Sequence, residues 1–504
     1  MAGVLPVDVD VVVVGGGPVG LVVACELAGY GVSTLVFEAR GSVSCRPRAT
    51  TLHARTVQCL VRRGYLGGLA SVGGPGSAPA SSPFHFAGIP GLAISVPAME
   101  PDPVLKCSQE VLERHFEERA RAAGARIMRG YRVTGVRQER GGVRVTAQGP
   151  GGAVGCAARF VVGADGARSL VREWSGFVSD SFPATVSAMA GDVRLGEGAA
   201  VGAGWHRTPR GWIVAKDVPG GRTRLRTVDC AGPHGDRGQP LTLEELRGEV
   251  SRIAGRDVAM AAPRWLSRFS DFSRLVRSYR SGRVLLAGDA AHVHFPVGGQ
   301  GLSTGLLDAV NLGWKLAFTV RGEAGGGLLD SYDLERRPAA QRVIGHTRAQ
   351  VALMRPGPEL EPLRALFGEL LAQGAEGGVL GAMVSGQDTV LPAHVPGSSS
   401  WEGRFLPNVG LVTARGRSDV IGLLRGGRPL LLLFGERGRS GYEGQAGGWA
   451  GVLRVVCAEP GPDIACDALL VRPDGYVAWA AGGADLTAVL TACFGSPAGV
   501  DAGL

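Results

Sequence analysis

Gly15-x-Gly17-x-x-Gly20 is the first group of residues whose types and spacing can do chemistry. The glycines permit a tight turn, let backbone N–H groups approach a pyrophosphate, and let a following helix lie close on the strand before them. Glu38 stands at the end of the next apolar run, where a carboxylate accepts hydrogen bonds from ribose hydroxyls. Two later apolar runs close on corners of the same kind: residues 160–162 lead into Gly163-Ala164-Asp165-Gly166, and residues 284–287 into Gly288-Asp289. A further stretch, Pro296-Val297-Gly298-Gly299-Gln300-Gly301-Leu302-Ser303, opens a long helical pattern. Its glycines let peptide N–H groups come near a planar ring, and the positive end of the helix favours negative charge there. His292 and His294 alternate beside it, but no carboxylate or cysteine stands at ligand spacing, so they read as structural and no metal is expected.

These groups need elements to hold them. Residues 9–14, 21–28 and 32–37 read as strand, helix and strand around the first glycine turn, which predicts a βαβ start and a parallel sheet with helices on its faces. Ligands of such sheets bind at the carboxyl ends of the strands, so the three corners are expected to converge on one extended dinucleotide. Gly, Pro and Ser crowd residues 73–103, an excursion from that sheet. Ser108 is placed to cap a helix running to about Ala123 and stopped by Gly124, which puts Gln109 at a helix start. Residues 182–229 alternate in strand fashion, with a hairpin of 212–218 and 222–228 around Pro219-Gly220-Gly221. Residues 302–320 form a long helix. After a linker rich in Pro and Ser at 392–400, strands at 430–434, 452–457, 468–471 and 476–480 outline a separate α/β domain.

Composition narrows the function classes. The 504 residues leave room for roughly three domains. The 53 basic and 45 acidic residues give a net charge of +8, yet Lys106, Lys216 and Lys315 are the only lysines. The arginines are scattered, with no basic tail or repeat, so no nucleic-acid partner is expected. The nine cysteines form no Cys-x-x-Cys pair and no metal-spaced cluster, and read as reduced thiols of a cytoplasmic protein. The apolar run 11–14 is too short to span a membrane and lacks the flanks of a signal peptide, so no membrane association is expected.

The glycine fingerprint, Asp165-Gly166 with Arg168 and Ser169, and Gly288-Asp289-Ala290-Ala291-His292 followed by the Pro296 to Gly301 loop resemble the three flavin motifs of the class A FAD-dependent aromatic hydroxylases, the para-hydroxybenzoate hydroxylase family. The chain looks most like the bacterial polyketide hydroxylases that act on angucycline- and anthracycline-type polycyclic aromatics. That likeness extends to Trp265-Leu266-Ser267-Arg268-Phe269, the Asp308 to Lys315 run, Glu335-Arg336-Arg337-Pro338 and Arg472-Pro473-Asp474-Gly475. The resemblance implies an α/β fold in three parts. An FAD-binding Rossmann-like domain takes residues 1–75, 101–180 and 276–391, a β-rich substrate domain takes 76–100 and 181–275, and a linker with a thioredoxin-like α/β domain takes 392–504. It also implies non-covalent FAD, NADPH or NADH as reductant, and O2. One oxygen atom would pass to a polycyclic aromatic polyketide through a flavin C4a-hydroperoxide. Baeyer–Villiger oxygenation of a polyketide ketone, and a partner protein that binds flavin or polyketide without turnover, are the alternatives, and a homodimer is left open.

Residue roles follow from the same resemblance. Gly15, Gly17, Pro18 and Gly20 form the pyrophosphate turn and Glu38 takes the ribose. Arg46, Arg48 and Gln109 reach the phosphate and ribityl region, and Val133 offers backbone to the adenine edge. Asp165 and Gly288 make the other corners, Asp289 bonds a ribityl hydroxyl, and Gly298, Gly299, Gly301, Leu302 and Ser303 line the pyrimidine side of the ring. The Pro296 carbonyl lies near flavin C4a and is the catalytic position. Plainer readings stand beside some of these: surface charge for Arg46 and Arg48, an exposed first turn for Gln109, a β-core valine for Val133. Arg168 and Arg172 either meet the phosphates of a nicotinamide nucleotide or form a salt-bridged helix face. The chain departs from the family where Ser303 and Leu307 replace Asn and Gln, and where Ala39 replaces a basic residue after Glu38. The short reach of Ser303 implies weaker support of the pyrimidine edge. Without paired cysteines, the C-terminal domain is expected to be structural.

Overall fold

Val9–Val14 and Thr34–Glu38 are buried almost throughout, as the unbroken apolar strands of a parallel sheet covered on both faces must be. The structure is a computed structural model that describes residues 8–69, 76–196, 201–233, 239–373, 378–395 and 399–497. The domain edges expected at residues 1, 75 and 504, the start of the excursion at Gly73, and linker residues Pro396, Gly397 and Ser398 lie outside the described residues. Five strands run parallel in the order Val284–Leu286, Gly152–Gly163, Val9–Val14, Thr34–Glu38 and Arg126–Arg129. Their register sets Leu286, Gly163, Val14 and Phe37 side by side in one row. Every corner named from the sequence therefore leaves the sheet at the same level.

Two helices close one face of this sheet, Pro18–Gly29 and Gln300–Arg321. They approach too closely for side chains at the crossing: a Cβ on Gly313 would lie 2.3 Å from Glu26 Cβ, and one on Gly305 would lie 2.8 Å from Val19 and 3.1 Å from the Gly288 backbone. Ser108 caps the helix Gln109–Ala122 through the Val111 N–H, as expected.

A second layer is a five-stranded antiparallel sheet, Gly204–Arg207, Gly211–Val218, Arg222–Asp229, Ser187–Leu195 and Met260–Ser270 in that order. It contains the expected hairpin, and the helix Leu243–Ala254, fixed by a Thr242/Glu245 capping box, packs on one side of it. The hairpin Ala80–Phe86 with Ile89–Val96 joins the other side in a shared apolar cluster with Ala188, Trp212 and Phe295.

The C-terminal unit is a six-stranded mixed sheet in which Leu430–Phe434 lies between Arg454–Ala458 and Ala468–Val471. It is not a free appendage. Trp314, Phe318 and Leu328 sit in its apolar core. Arg472 and Asp474, from the turn before Val477–Ala480, reach a fully buried ion cluster with Lys315 and Glu335. Arg472 donates to both oxygens of Glu335 at 2.8 and 2.7 Å, and Trp314 Nε1 donates to Asp474 at 3.2 Å. Burial pushes the Lys315 ammonium down to about 8 against the pull of Glu335; burial alone would raise Glu335, but Arg472 and Lys315 hold it well below the usual carboxylate range. His394, in the expected linker, stands 3.9 Å from Glu335, so this end of the linker is packed against the ion cluster. No helix among the described residues is long and apolar enough to cross a membrane.

Candidate functional site

The first corner is made almost wholly of main chain. Gly15 has φ of 109°, and a Cβ there would lie 2.3 Å from the Ala164 carbonyl oxygen, so only glycine fits. Gly20 lets the helix close on the strand, since its Cβ would meet the Gly15 oxygen at 2.0 Å. Gly17 differs from both: no protein atom lies within 4 Å of the place where its side chain would begin. Pro18 starts the helix and no side chain caps it, so its first N–H groups face open space. Glu38 accepts from the Gly16 N–H at 2.7 Å and from the Arg40 N–H at 2.8 Å, which holds its carboxylate across the turn. The backbone of Arg40 thus orients the acid beside the departure at Ala39.

The second corner, Gly288-Asp289, is braced from behind. Asp308, fully buried, accepts from the Gly288 N–H at 3.1 Å, from His292 Nε2 at 2.7 Å and from Arg336 Nε at 2.9 Å. Burial would raise its pKa, but the charges of His292 and Arg336 hold it below the usual range. His292 is therefore a structural partner of Asp308, and no group of three or more His, Cys, Asp or Glu among the described residues is placed to hold a metal. Asp289 itself is surface-accessible yet enclosed by protein mass. Burial raises its pKa, moderated by the charges of His292 and Arg48. An accessible acid in enclosed surroundings lines a cleft. Arg48 faces it from the loop after Glu38, with Arg40 and Arg46 near enough to lower its pKa after burial has done so. Gln109 joins them through its N–H, which donates to Ala49 at 3.1 Å.

Two expected residues also carry structural contacts. Asp165 Oδ2 accepts from the N–H groups of Leu170 and Val171 at 2.8 and 3.2 Å, joining Ser169 at the start of the helix Leu170–Trp174, while its buried Oδ1 has no protein partner. Val133 sends its side chain into the main core, which leaves only its backbone for a ligand. Of the arginine pair, Arg172 is 3% exposed and donates to the Ala290 and Ala167 carbonyls, a brace for the second corner and not a phosphate contact; Arg168 is exposed.

The third element is the Pro296 loop. Gly298 and Gly299 have φ of 73° and 66°, the Gly299 N–H donates to the Pro296 carbonyl at 3.2 Å, and the helix Gln300–Arg321 begins with no side-chain cap. Gly301 packs beneath His294, and Leu302 lies half-buried against the main core. His53, fully buried, sits 2.8 Å from the Gly298 carbonyl through Nε2, and burial pushes it down to about 4. It is thus neutral with its proton on Nε2, and fixes the loop as a donor. Ser303 belongs to the same brace. Its Oγ accepts from the His53 N–H at 3.1 Å and its carbonyl from Thr56 Oγ1 at 3.2 Å, so the short hydroxyl braces the neighbouring strand. Sequence reasoning missed the parts played by His53, Asp308 and Arg336; Asp308 and Arg336 stood in the quoted motifs, but His53 carried no signal of its own.

A trench bounded by the Gly15 turn, Asp289 with Arg48, and the glycine loop fits an extended flavin dinucleotide. The empty space over Gly17 and the two uncapped helix starts are the features that fit. Fold and site together define a flavoprotein with a β-rich second domain set against the ring end of its cofactor.

Residues 8–347 match the FAD binding domain family, and residues 399–497 match the C-terminal family of aromatic-ring hydroxylases. The chain belongs to the FAD binding domain family and is an FAD-dependent monooxygenase. It is 37% identical over 97% of its length to the 12-dehydrotetracycline 5-monooxygenase/anhydrotetracycline 6-monooxygenase of Streptomyces rimosus, covering 99% of that protein. It is 38% identical, again over 97% of this chain and 99% of the relative, to the dialkyldecalin synthase of Streptomyces rugosporus. Among solved structures it superposes on CabE, an aromatic hydroxylase from angucycline biosynthesis, with a TM-score of 0.88 at 35% identity, covering 97% of this chain and 100% of that one.

Proposed function

We propose that the protein hydroxylates a polycyclic aromatic polyketide, with NADPH or NADH and O2 as co-substrates. One observation carries this. The face of the five-stranded sheet away from its helix, covered in part by the hairpin Ala80–Phe86 with Ile89–Val96, runs into the glycine loop, where the rings of Phe269 and Phe295 meet with centroids 5.8 Å apart and Phe295 adjoins Pro296. Phe84, His85, Trp205 and Trp212 continue the aromatic wall, with ring centroids 4.6 to 5.8 Å apart. A wide, flat, electron-rich ring system is the ligand such a wall suits. The names of the tetracycline and angucycline relatives agree with that class.

Bound FAD supplies hydride acceptance and activation of O2; the chain supplies position and charge. The turn from Gly15 to Pro18 offers the pyrophosphate the N–H of Gly17 and the uncapped start of the helix, the N–H groups of Gly15 and Gly16 being held by Phe37 and Glu38. Glu38 takes the ribose, and Asp289 with Arg48 and Gln109 the ribityl and phosphate stretch. Val133 meets the adenine edge through backbone. The N–H groups of Gly298 and Gly301 and the helix start at Gln300 favour negative charge on the pyrimidine side, with Gly299 shaping the loop through its bond to the Pro296 carbonyl. His53 and Ser303 keep that loop in place, and Leu302 and Phe295 keep water from it. Pro296 presents its carbonyl side to the reacting edge. We read residues 76–100 and 181–275 as the substrate unit.

The test is a panel of polycyclic phenols with the purified yellow protein. Substrate-stimulated NAD(P)H consumption and a product carrying a new phenolic hydroxyl support the proposal. A ring-expanded lactone would make it a Baeyer–Villiger enzyme. Tight binding without NAD(P)H consumption would leave the non-oxidative reading, which the dialkyldecalin synthase relative keeps in view.

A further inference from the structure

The two faces of the five-stranded sheet are unlike. One carries Met189, Ile213 and Leu225 and is sealed by the helix Leu243–Ala254. The other is the face of Phe269 and the Phe295 contact. On it, two residues further along the strands, Val214, Arg226, Ala190 and Ser267 form one row across the sheet.

Arg226 is the unusual member of that row. It is exposed, and among the described residues its side chain has no hydrogen bond and no ion pair. Asp192, the one carboxylate whose charge reaches it, is 2% exposed and has both oxygens held by Arg224 at 2.6 and 2.8 Å. The neighbours Ala190 and Val214 are too short to cover it. Surrounding protein nevertheless lowers its pKa, through burial first and the charge of Arg224 second, as for a cation walled into a cleft. Lys216 stands two residues beyond Val214 on the same face of the sheet, close enough to Lys106 for its charge to add to the burial that lowers Lys106.

Distance gives Arg226 a place relative to the reaction. Two strand spacings and one two-residue step separate it from Phe269, about 12 Å between Cα atoms. That is the reach of a fused polycycle, not of a single ring. We propose that Arg226 is a specificity-determining residue: its guanidinium takes a carboxylate, or an equivalent anionic oxygen pair, at the end of the polycycle remote from the flavin loop, and so fixes which carbon lies beside Pro296. The inference rests on the polycyclic aromatic reading above. The planar fork of arginine matches two oxygens in one plane, and arginine keeps its charge across the working pH range.

The experiment measures equilibrium binding of two probes to the FAD-loaded protein, a dihydroxyanthraquinone carboxylic acid and its methyl ester, with wild type, Arg226→Gln and Arg226→Lys. Wild type should bind the acid at least about tenfold more tightly than the ester. Arg226→Gln should weaken the acid by about tenfold to a hundredfold and leave the ester and the FAD content unchanged, the loss expected for one charge-assisted contact. Arg226→Lys should restore part of the preference. Equal binding of acid and ester by wild type, no binding of either, or an equal loss of both in Arg226→Gln overturns the proposal. These outcomes are read without turnover, whereas the monooxygenation proposal stands or falls on NAD(P)H consumption and product.

Discussion

At the carboxyl ends of the parallel strands, the trench proposed for the cofactor is built of main chain, from Gly15 to Gly20 and from Gly298 to Gly301. The face of the five-stranded sheet proposed for the substrate is built of side chains two residues apart on different strands, such as Phe269, Arg226 and Lys216. The first region is dictated by where a Cβ cannot go, and tolerates almost no substitution. The second is a regular surface on which any side chain of suitable size can stand without disturbing the strands. One scaffold can therefore keep its cofactor while its substrate changes, and the relatives include both a tetracycline monooxygenase and a dialkyldecalin synthase at nearly equal identity.

The contrast breaks most sharply at Gly15. Gly15→Val places a branched side chain against the Ala164 carbonyl at a φ that valine does not adopt, so the purified protein should be colourless, with FAD retention down more than about a hundredfold. Lys216→Gln on the sheet should keep its full visible absorbance after gel filtration. A yellow Gly15→Val protein would end the backbone account of the trench.

Asp308→Asn comes next, because it leaves Arg336 and His292 without their buried acid. A loss of about 3–5 kcal/mol in urea unfolding is expected, with most FAD lost as well. The sign with pH follows from the lowered pKa of Asp308. Its contribution is complete above the ordinary carboxylate range near 3.8 and is lost as pH falls through the lower folded value, so the acid limb of the wild-type stability curve should flatten in Asp308→Asn.

His53 sharpens the comparison in a higher window. Its pKa is pushed from 6.5 to about 4 by burial, so the unfolded chain takes up a proton that the folded one refuses. Stability should fall as pH drops from 6.5 towards 4, and His53→Gln, which keeps a donor near Gly298, should show less of that fall. Removing the smaller brace, in Ser303→Ala, leaves the His53 N–H unpaired and should cost about 1–3 kcal/mol with FAD content near normal. Beside the sheet, on the short strand Val104–Lys106, Lys106→Gln should change the Michaelis constant for a polycyclic phenol by only a few fold and leave stability alone.

The same contrast explains what could be read from the chain. The Gly15 turn, Glu38 and the Gly288-Asp289 corner were legible because backbone chemistry leaves glycine and short acids at fixed offsets within a few residues. The hairpin around Gly220 and the cap at Ser108 were legible for the same local reason. The bonds of Asp165 to the helix Leu170–Trp174 were not legible because a helix start and a ligand corner use the same residue type after a strand. The brace at Ser303 was not legible because its partner, His53, lies 250 residues away in sequence. The role of Arg226 depends on four strands coming into register, and nothing local to Leu225-Arg226-Thr227 marks it. The helix Ser331–Met354 was hidden by Pro338 within it and by polar residues, Glu335 and Arg336, whose partners are buried charges on other elements.

The buried junction of Lys315, Glu335, Arg472 and Asp474, with Trp314 and Phe318 set into the C-terminal core, has a consequence for the covalent chain itself. Of the described residues between Leu391 and Trp401, His394 and Val395 add contacts at the edge of that junction, while its buried charges and core aromatics stand on other elements, so continuity of this peptide is dispensable once folding is complete. A protease that nicks it should release nothing: the two fragments would travel together as a non-covalent pair, colour included, and part only when the whole fold melts.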